Sequence, residues 1–141
     1  MTTSPNSELL IKLTSVQAKL QKALAGPLSA HGISLTEFLV LRELDGAPGK
    51  KLRRIDLAEA VGLTPSGVTR LLNPMEKIGL VSKEAGARDA RVSLVAIATA
   101  GETIYRDSSA TFAETSREIL APLGKTERDA MTRVLDALLK G

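Results

Sequence analysis

The stretch LAEAVGLTPSGVTRLL, residues 57–72, decides the fold of this chain because it holds two short helical patterns separated by a tight turn. Gly62 fits the position after a helix, where the backbone turns left-handed and glycine is the least strained residue. Thr64 can cap the next helix with its hydroxyl, and Pro65 suits the first helical position, since an amide there would lack a partner. The apolar residues that follow at helical spacing are Val68, Leu71, Leu72 and Met75. Two short helices joined in this way predict a helix-turn-helix.

The segment after Gly79 changes from helical to strand-like periodicity. Residues 80–85 and 91–97 are predicted strands, and residues 86–90 form the turn between them. A β-hairpin directly behind the second helix is typical of a winged helix-turn-helix.

Three helices are predicted before the glycine turn, including the first helix of the helix-turn-helix. The first covers residues 7–30 and should break or kink at Gly26–Pro27, because proline removes an amide donor and crowds the preceding turn. Ser34 and Glu37 form a capping box that opens the second, which should stop near residues 46–49. The third is the short helix before the glycine turn, and its predicted buried residues are Ile55, Leu57, Ala58 and Val61.

Two helices are predicted after the hairpin. Thr99 and Glu102 form a second capping box, and the helix that they open should end near Pro122. Its predicted inward residues are Ile104, Phe112, Ile119 and Leu120. The last helix covers residues 125–140 and is amphipathic, with Met131, Val134, Leu135 and Leu138 in the i, i+3, i+4, i+7 pattern. The predicted fold is therefore mainly α with a small β-hairpin wing.

Composition excludes several function classes. The 141 residues are 43% hydrophobic and 25% charged, an ordinary mix for one globular domain. The chain has no cysteine, so disulfides, thiol nucleophiles and thiolate metal sites are excluded, and His31 alone cannot build a multi-histidine metal site. Carboxylates are scattered without a histidine partner, which argues against an enzyme, and no cofactor motif is present. No apolar run reaches the length of a membrane span and the polar start does not resemble a signal peptide, so a cytoplasmic protein is expected.

Charge is concentrated in the middle of the chain. The formal net charge is only +3, but residues 50–91 hold nine basic and five acidic side chains and net +4. A basic middle between near-neutral ends is typical of an embedded module that binds a polyanion. Lysine-rich surfaces also serve solubility alone, and that reading stays open at this point.

The candidate DNA contacts lie at two places. The second helix of a helix-turn-helix enters the major groove N-terminus first, where small residues let the backbone approach phosphates. The residues that supply this combination are Thr64, Ser66, Gly67, Thr69 and Arg70. At the hairpin turn, Arg88 and Arg91 can reach a minor groove, and Asp89 can hold one of them extended. The plainer alternatives are a capping threonine, a solvated Arg70, and a polar turn with an ion pair worth at most about 1 kcal/mol.

These segments together resemble the MarR-type (multiple antibiotic resistance regulator) transcription factors. The resemblance rests on LAEAVGLT at 57–64, VTRLL at 68–72, MEKIGLV at 75–81 and IATAG at 97–101. It includes the Asp-x-Arg wing signature at Asp89 and Arg91, and GISLT at 32–36. It covers nearly the whole chain, and its specificity lies in the order and spacing of the pieces.

The resemblance implies a homodimer that binds a pseudo-palindromic operator in double-stranded DNA. Residues 1–33 and 100–141 would form the helical dimerisation region, and residues 34–99 the winged helix-turn-helix. Ser66, Thr69 and Arg70 would lie in the major groove, with Arg88 or Arg91 at the minor groove. Many such proteins release DNA when they bind a small aromatic or anionic effector.

Three features set this chain apart from many relatives. Pro74 leaves the carbonyl of Arg70 without its amide donor, so the recognition helix is expected to kink after about two turns, which changes its tilt. The missing cysteines exclude peroxide sensing, and the single histidine disfavours zinc sensing. We interpret His31 as a helix-end residue, and Tyr105 and Phe112 as core or dimer contacts rather than ligand-stacking residues. No effector site is assigned.

A sequence-specific DNA-binding regulator, with a repressor favoured, is the first functional hypothesis. The alternative is a winged-helix module that binds protein without binding DNA. The basic middle and the two wing arginines argue against that alternative.

Overall fold

The computed structural model describes residues 4–141 and contains six helices around a small sheet. The elements in chain order are α1 Pro5–Ser29, α2 Leu35–Gly46, a 3-10 turn Pro48–Lys50, β1 Lys51–Arg53, α3 Arg54–Val61, α4 Pro65–Lys77, β2 Val81–Ala85, β3 Ser93–Ile97, α5 Thr99–Leu120 and α6 Lys125–Lys140. The strands pair antiparallel in the order β1-β3-β2, so Val95 lies between Leu52 and Lys83. The predicted class, mainly α with a small winged sheet, is confirmed.

The turns that punctuate the helix-turn-helix follow the sequence signals. Ser34 and Glu37 exchange the two bonds of a capping box, with donor–acceptor distances of 2.8 and 3.1 Å. Gly62 ends α3 with a φ of +71°, a left-handed conformation that suits glycine. Thr64 caps α4 by accepting the amide of Gly67. Three local predictions are confirmed.

The core lies where α2, α3 and α4 meet the sheet. Leu41, Leu44, Leu57, Leu72 and Met75 are fully buried there. Buried apolar area of this kind stabilises the fold by about 25 cal/mol per Å². It fixes the angle between α3 and α4, on which the presentation of the α4 N-terminus depends.

Prolines do not interrupt the helices that contain them. α1 continues through Pro27 to Ser29, so it does not break at Gly26–Pro27, and the kink expected there as the alternative stays a prediction. Pro27 has no amide for the Ala23 carbonyl, yet Leu28, the next residue, is completely buried, and this packing keeps the last turn helical. α4 likewise runs past Pro74 to Lys77, while the change of tilt expected there stays a prediction.

Four other sequence expectations are corrected. Ile55 and Leu120 are exposed rather than buried, and Val61 is only partly buried. Thr99 is not an N-cap, because Ala98 takes that position without a side-chain bond. The reason lies in the partners of this junction, since the amide of Ala98 donates to the Leu80 carbonyl and the carboxylate of Glu102 pairs with Lys50.

The sheet differs from the predicted hairpin in two respects. β1 adds a third strand that the basic run 50–54 did not suggest, and it pairs with β3 more than forty residues later. β3 begins at Ser93 instead of residue 91, so the wing turn covers residues 86–92.

α1 and α6 carry apolar side chains that the single chain leaves exposed. α6 matches its predicted bounds, but none of its residues is buried. The exposed apolar residues of these two helices are Leu9, Leu10, Ile11, Val16, Met131, Val134, Leu135, Leu138 and Leu139. Within residues 4–141, no helix is both long enough and apolar enough to cross a membrane.

Candidate DNA-binding surface

The first turn of α4 presents exposed hydroxyls at a helix N-terminus. Thr64 Oγ1 accepts the amide of Gly67 at 3.1 Å and lies 3.3 Å from Ser66 Oγ. Gly67 leaves room for the capping hydroxyl, since a Cβ at this residue would lie 3.1 Å from Thr64 Oγ1. The positive end of the helix dipole and these hydroxyls together favour a phosphate or another anion.

Arg70 lies one turn further along α4 and is exposed. No carboxylate within residues 4–141 pairs with it in the structure. Its guanidinium is therefore available to an external acceptor, and it can grip guanine O6 and N7 with two bonds.

Thr69 has a different environment from its neighbour. Its hydroxyl donates to the Pro65 carbonyl at 3.1 Å and accepts a bond of 2.7 Å from Nη1 of Arg54. The sequence placed Thr69 beside Arg70 as a second polar group for DNA, whereas the structure shows its hydroxyl engaged within the protein.

The wing turn holds one of its two arginines in place. Asp89 accepts the Nε and Nη2 groups of Arg91, each at 3.1 Å, and the backbone amide of Arg91 at 3.0 Å. These bonds from Arg91 lower the pKa of the Asp89 carboxyl. The Arg91 side chain is nevertheless 90% exposed, so it is oriented without being covered. Arg88 on the same turn is exposed as well.

Gly86 shapes the start of this turn. A Cβ at Gly86 would lie 2.7 Å from the carbonyl oxygen of Asp89 and 3.0 Å from the side chain of Val92. The backbone therefore folds back on itself at a distance that only glycine allows.

Polar bonds tie the wing to the second half of α4. Lys83 on β2 donates to Asn73 at 3.1 Å and pairs with Glu76 at 3.4 Å. Lys51 on β1 pairs with Glu84 on β2, across the central strand. These bonds link the two candidate DNA contacts, the α4 N-terminus and the wing turn, through one connected unit.

The starts of α3 and α4 and the base of the wing share one hollow of about 300 Å³. The residues that line it are Arg53, Arg54, Ile55, Pro65, Val92 and Ser93. Part of the basic run 50–54 is therefore brought next to the predicted recognition helix. The exposed Ile55, which the sequence predicted as core, forms part of its wall.

Lys50 forms ion pairs with two other elements that the sequence did not reveal. Its ammonium lies 3.2 Å from Asp45 and 3.1 Å from Glu102, and these carboxylates raise its pKa, with the bond to Glu102 the larger cause. Its backbone has a φ of +57°, which is unusual for a residue with a side chain. Lys50 thus joins the end of α2 to the start of α5, and no local sequence signal pointed to partners 5 and 52 residues away.

A second hollow, of about 280 Å³, lies between α2 and α5 beside three aromatic rings. Phe38 stacks on Phe112 with ring centroids 4.6 Å apart, and it meets Tyr105 at 5.5 Å. Phe112 and Tyr105 pack against the core, as predicted. Arg42, whose side chain is 61% exposed, lies at the edge of this hollow.

His31 lies at the turn after α1, as its interpretation as a helix-end residue required. Its Nε2 forms a 2.7 Å bond with Thr111 Oγ1, which ties this turn to α5. Among the described residues, no group of three or more histidine, cysteine or acidic side chains is arranged to hold a metal ion.

The comparisons with known proteins point to one family. The sequence profile of the MarR family matches residues 31–92. An HTH-type transcriptional repressor from Mycobacterium tuberculosis is 27% identical over 126 residues, which cover 89% of each chain.

Solved structures share the fold over almost the whole chain. A MarR family transcriptional regulator from Streptomyces coelicolor, in complex with DNA, superposes with a TM-score of 0.89 at 18% identity and covers 100% of this chain and 93% of its own. An organohalide-sensing transcriptional regulator in its 2,4-dichlorophenol-bound form has a TM-score of 0.85 at 19% identity, with 97% and 80% covered.

Proposed function

We propose that this chain is a transcriptional regulator of the MarR family, and that it is a sequence-specific DNA-binding repressor rather than an enzyme; the family profile over residues 31–92 and the similar repressor from Mycobacterium tuberculosis support this proposal. It would act as a homodimer on a pseudo-palindromic operator. Because its target is the chromosome, we place its activity in the cytoplasm.

The observation that carries this proposal is that two exposed polar surfaces, the N-terminus of α4 and the wing turn, belong to elements that are hydrogen-bonded to each other. The α4 N-terminus offers exposed hydroxyls and the exposed Arg70, and the wing turn offers Arg91 oriented by Asp89. A helix in the major groove and an arginine at the adjacent minor groove would use both ends at once. The contacts that we propose are Ser66, Thr69, Arg70 and either Arg88 or Arg91. Thr64 and Gly67 would present the helix terminus, and Asp89 would orient Arg91.

A second copy of this chain is the partner that we propose for the exposed apolar side chains of α1 and α6. Leu135 and Leu138 are 41% and 59% exposed, so covering what remains of each would contribute about 1 kcal/mol, part of the value for full burial. In the dimer, the two α4 helices would read half-sites about 34–36 Å apart.

We further propose a small aromatic or anionic effector that releases the DNA. Support comes from the hollow between α2 and α5, where rings line the wall and Arg42 stands at the edge. Arg42, which pairs with Glu43 at 3.3 Å, would exchange that partner for a carboxylate of the effector. The relative bound to 2,4-dichlorophenol shows that this fold accommodates a substituted phenol.

A gel-shift experiment with the DNA upstream of the gene for this chain tests the proposed function. We expect a complex that unlabelled operator displaces and that Arg70→Ala weakens by about tenfold or more, because one bidentate guanine contact is worth about 1–3 kcal/mol. Arg117→Ala is the matched control, since Arg117 is exposed on α5 and pairs with Glu114. Equal binding by wild type and Arg70→Ala would show that α4 is not the reading helix. No binding at all would favour the protein-interaction alternative.

A further inference from the structure

Two neighbouring arginines at the start of α3 have opposite environments. Arg53 has a side chain that is 57% exposed and pairs with Asp56. Arg54 is turned toward α4, and its Nη1 donates to Thr69 Oγ1 at 2.7 Å. Nε of Arg54 is buried and finds no acceptor among residues 4–141. The basic run 50–54 therefore contains one arginine, Arg54, whose guanidinium bonds within the helix-turn-helix.

Neither the helix nor the solvent accounts for this placement of Arg54. A cation in the first turn of α3 opposes the helix dipole, which favours anions there. A buried N–H without an acceptor also carries a desolvation cost. The hydrogen bond from Arg54 to Thr69 offsets part of these two costs, and it connects the first residue of α3 to the second turn of α4.

The hydroxyl of Thr69 is left with restricted chemistry. A hydroxyl has one proton and two lone pairs. The proton is donated to the Pro65 carbonyl, and one lone pair accepts from Arg54. One lone pair and the side-chain methyl remain for an external partner.

From this arrangement we infer that Arg54 is a positioning residue for DNA reading, which fixes the Thr69 hydroxyl as an acceptor at the reading face of α4. This inference rests on the proposed function. Thr69 can then accept from an adenine or cytosine amino group, or place its methyl against thymine. It gives no hydrogen bond to guanine O6, thymine O4 or a purine N7, since each of these needs a donor.

Anisotropy titrations with a labelled duplex of the upstream region test this coupling. Arg54→Ala and Thr69→Val should each weaken binding by about tenfold, the scale of one lost hydrogen bond to a charged group. The double variant should be no weaker than the worse single one, because both remove the same bond. In a Thr69→Ser background, which retains the hydroxyl, Arg54→Ala should still weaken binding.

The salt dependence separates positioning from direct contact. A positioning residue leaves the slope of log affinity against log salt unchanged, whereas loss of a phosphate contact lowers its magnitude by about 0.9. An unchanged affinity for Arg54→Ala, additive effects with Thr69→Val, or a lower salt slope would each overturn the inference.

Two controls keep the outcome readable. If thermal unfolding shows that Arg54→Ala does not fold, Thr69→Val carries the test, since valine is close to threonine in shape, and wild-type affinity for it would overturn the inference. If the wild-type chain binds no DNA, the proposed function fails and this inference falls with it. Wild-type binding with an unaffected Arg54→Ala leaves the proposed function standing and removes only the role of Arg54.

Discussion

Asp89 contributes to the wing by orienting a positive charge rather than by adding one. It holds Arg91 through two side-chain bonds and one backbone bond, although both groups lie near solvent. An exposed ion pair adds little stability. What the pair provides is a guanidinium already extended, so that less side-chain entropy is lost when it enters a groove.

Asp89→Asn should lower the specificity of DNA binding more than its strength. Asparagine removes one negative charge, which favours phosphates, but it cannot hold Arg91 with two charged bonds. We expect the ratio of affinities for the upstream region and a random duplex to fall about three- to tenfold, the scale of one weakened contact. Anisotropy competition measures this ratio, and Glu84→Gln, on the same wing and also ion-paired, is the control. An unchanged ratio would mean that Arg91 is not oriented for reading.

The pKa of Asp89 also fixes the pH range of this effect. The carboxyl has a lowered pKa in the folded chain, so the pairing is complete above its ordinary pKa of 3.8 and is lost as the pH falls through the lower folded value. The contribution of Asp89 to DNA binding should therefore be constant between about pH 5.5 and 8.

Arg42 is the residue on which the proposed effector site depends. Benzoate should raise the melting temperature of the wild-type chain, and Arg42→Ala should abolish that rise because the carboxylate loses its partner. Benzamide, which has the same ring without the charge, is the matched ligand control. A benzoate shift that survives in Arg42→Ala would place the ligand elsewhere.

At the scale of elements, the junction between the wing and α5 depends on the absence of a side chain at residue 101. Gly101 is buried, and a Cβ there would clash with the Leu80 carbonyl oxygen and approach the side chain of Ile97. The amide of Ala98 donates to that same carbonyl, so the start of α5 cannot easily move away.

Gly101→Ala should destabilise the chain by about 1–3 kcal/mol, the usual cost of overpacking. Gly46→Ala is the matched control, because Gly46 is also helical but has open space around it. Alanine at residue 46 should raise the free energy of unfolding by at most about 1 kcal/mol. Urea unfolding of both variants checks this expectation. Equal stabilities would contradict the close approach of α5 to Leu80.

Elements whose signals are local were predictable from the sequence. The capping box at Ser34, the glycine turn at Gly62 and the threonine cap at Thr64 each depend on residues within three positions. β1 was missed because its strand character comes from pairing with β3, far along the chain. Ile55 was assigned to the core because it is apolar. Its exposure could not be predicted, since it depends on which face of α3 the other elements cover.

The candidate site divides in the same way. Asp89 and Arg91 are two residues apart, and their pairing could be anticipated. The bond from Arg54 to Thr69 spans 15 residues, and the links of Lys50 to Glu102 and of Lys83 to Asn73 also cross elements. Side chains that meet only because their elements pack together have no characteristic spacing in the sequence, so these contacts could not be predicted from it.

At the scale of the whole molecule, the two terminal helices leave apolar faces that a second copy of the chain would cover. α6 exposes the apolar positions Val134, Leu135 and Leu138 to solvent in a single chain. α1 exposes a comparable set at the other end of the sequence. The helix-turn-helix is complete within one chain, whereas these two helices are not covered by it.

Leu135→Glu should convert the dimer to a monomer and weaken operator binding. A charge at the centre of a buried apolar face carries a large desolvation cost. Arg133→Glu is the control, since residue 133 lies on the opposite side of α6 and is exposed. Light scattering coupled to size exclusion reports the mass of each variant. A wild-type monomer, or a dimer in Leu135→Glu, would contradict this role of α6.

The most direct test of the central claim is a hydroxyl-radical footprint of the wild-type chain on the DNA upstream of its own gene. A dimer that inserts α4 and the wing from each chain predicts two protected patches related by a pseudo-two-fold axis, with centres about 34–36 Å apart, one helical turn of DNA. Arg70→Ala should need at least about tenfold more protein than the wild type to protect the same two patches. Uniform coverage of the fragment, or no protection at any concentration, would contradict the claim that this chain is a sequence-specific regulator.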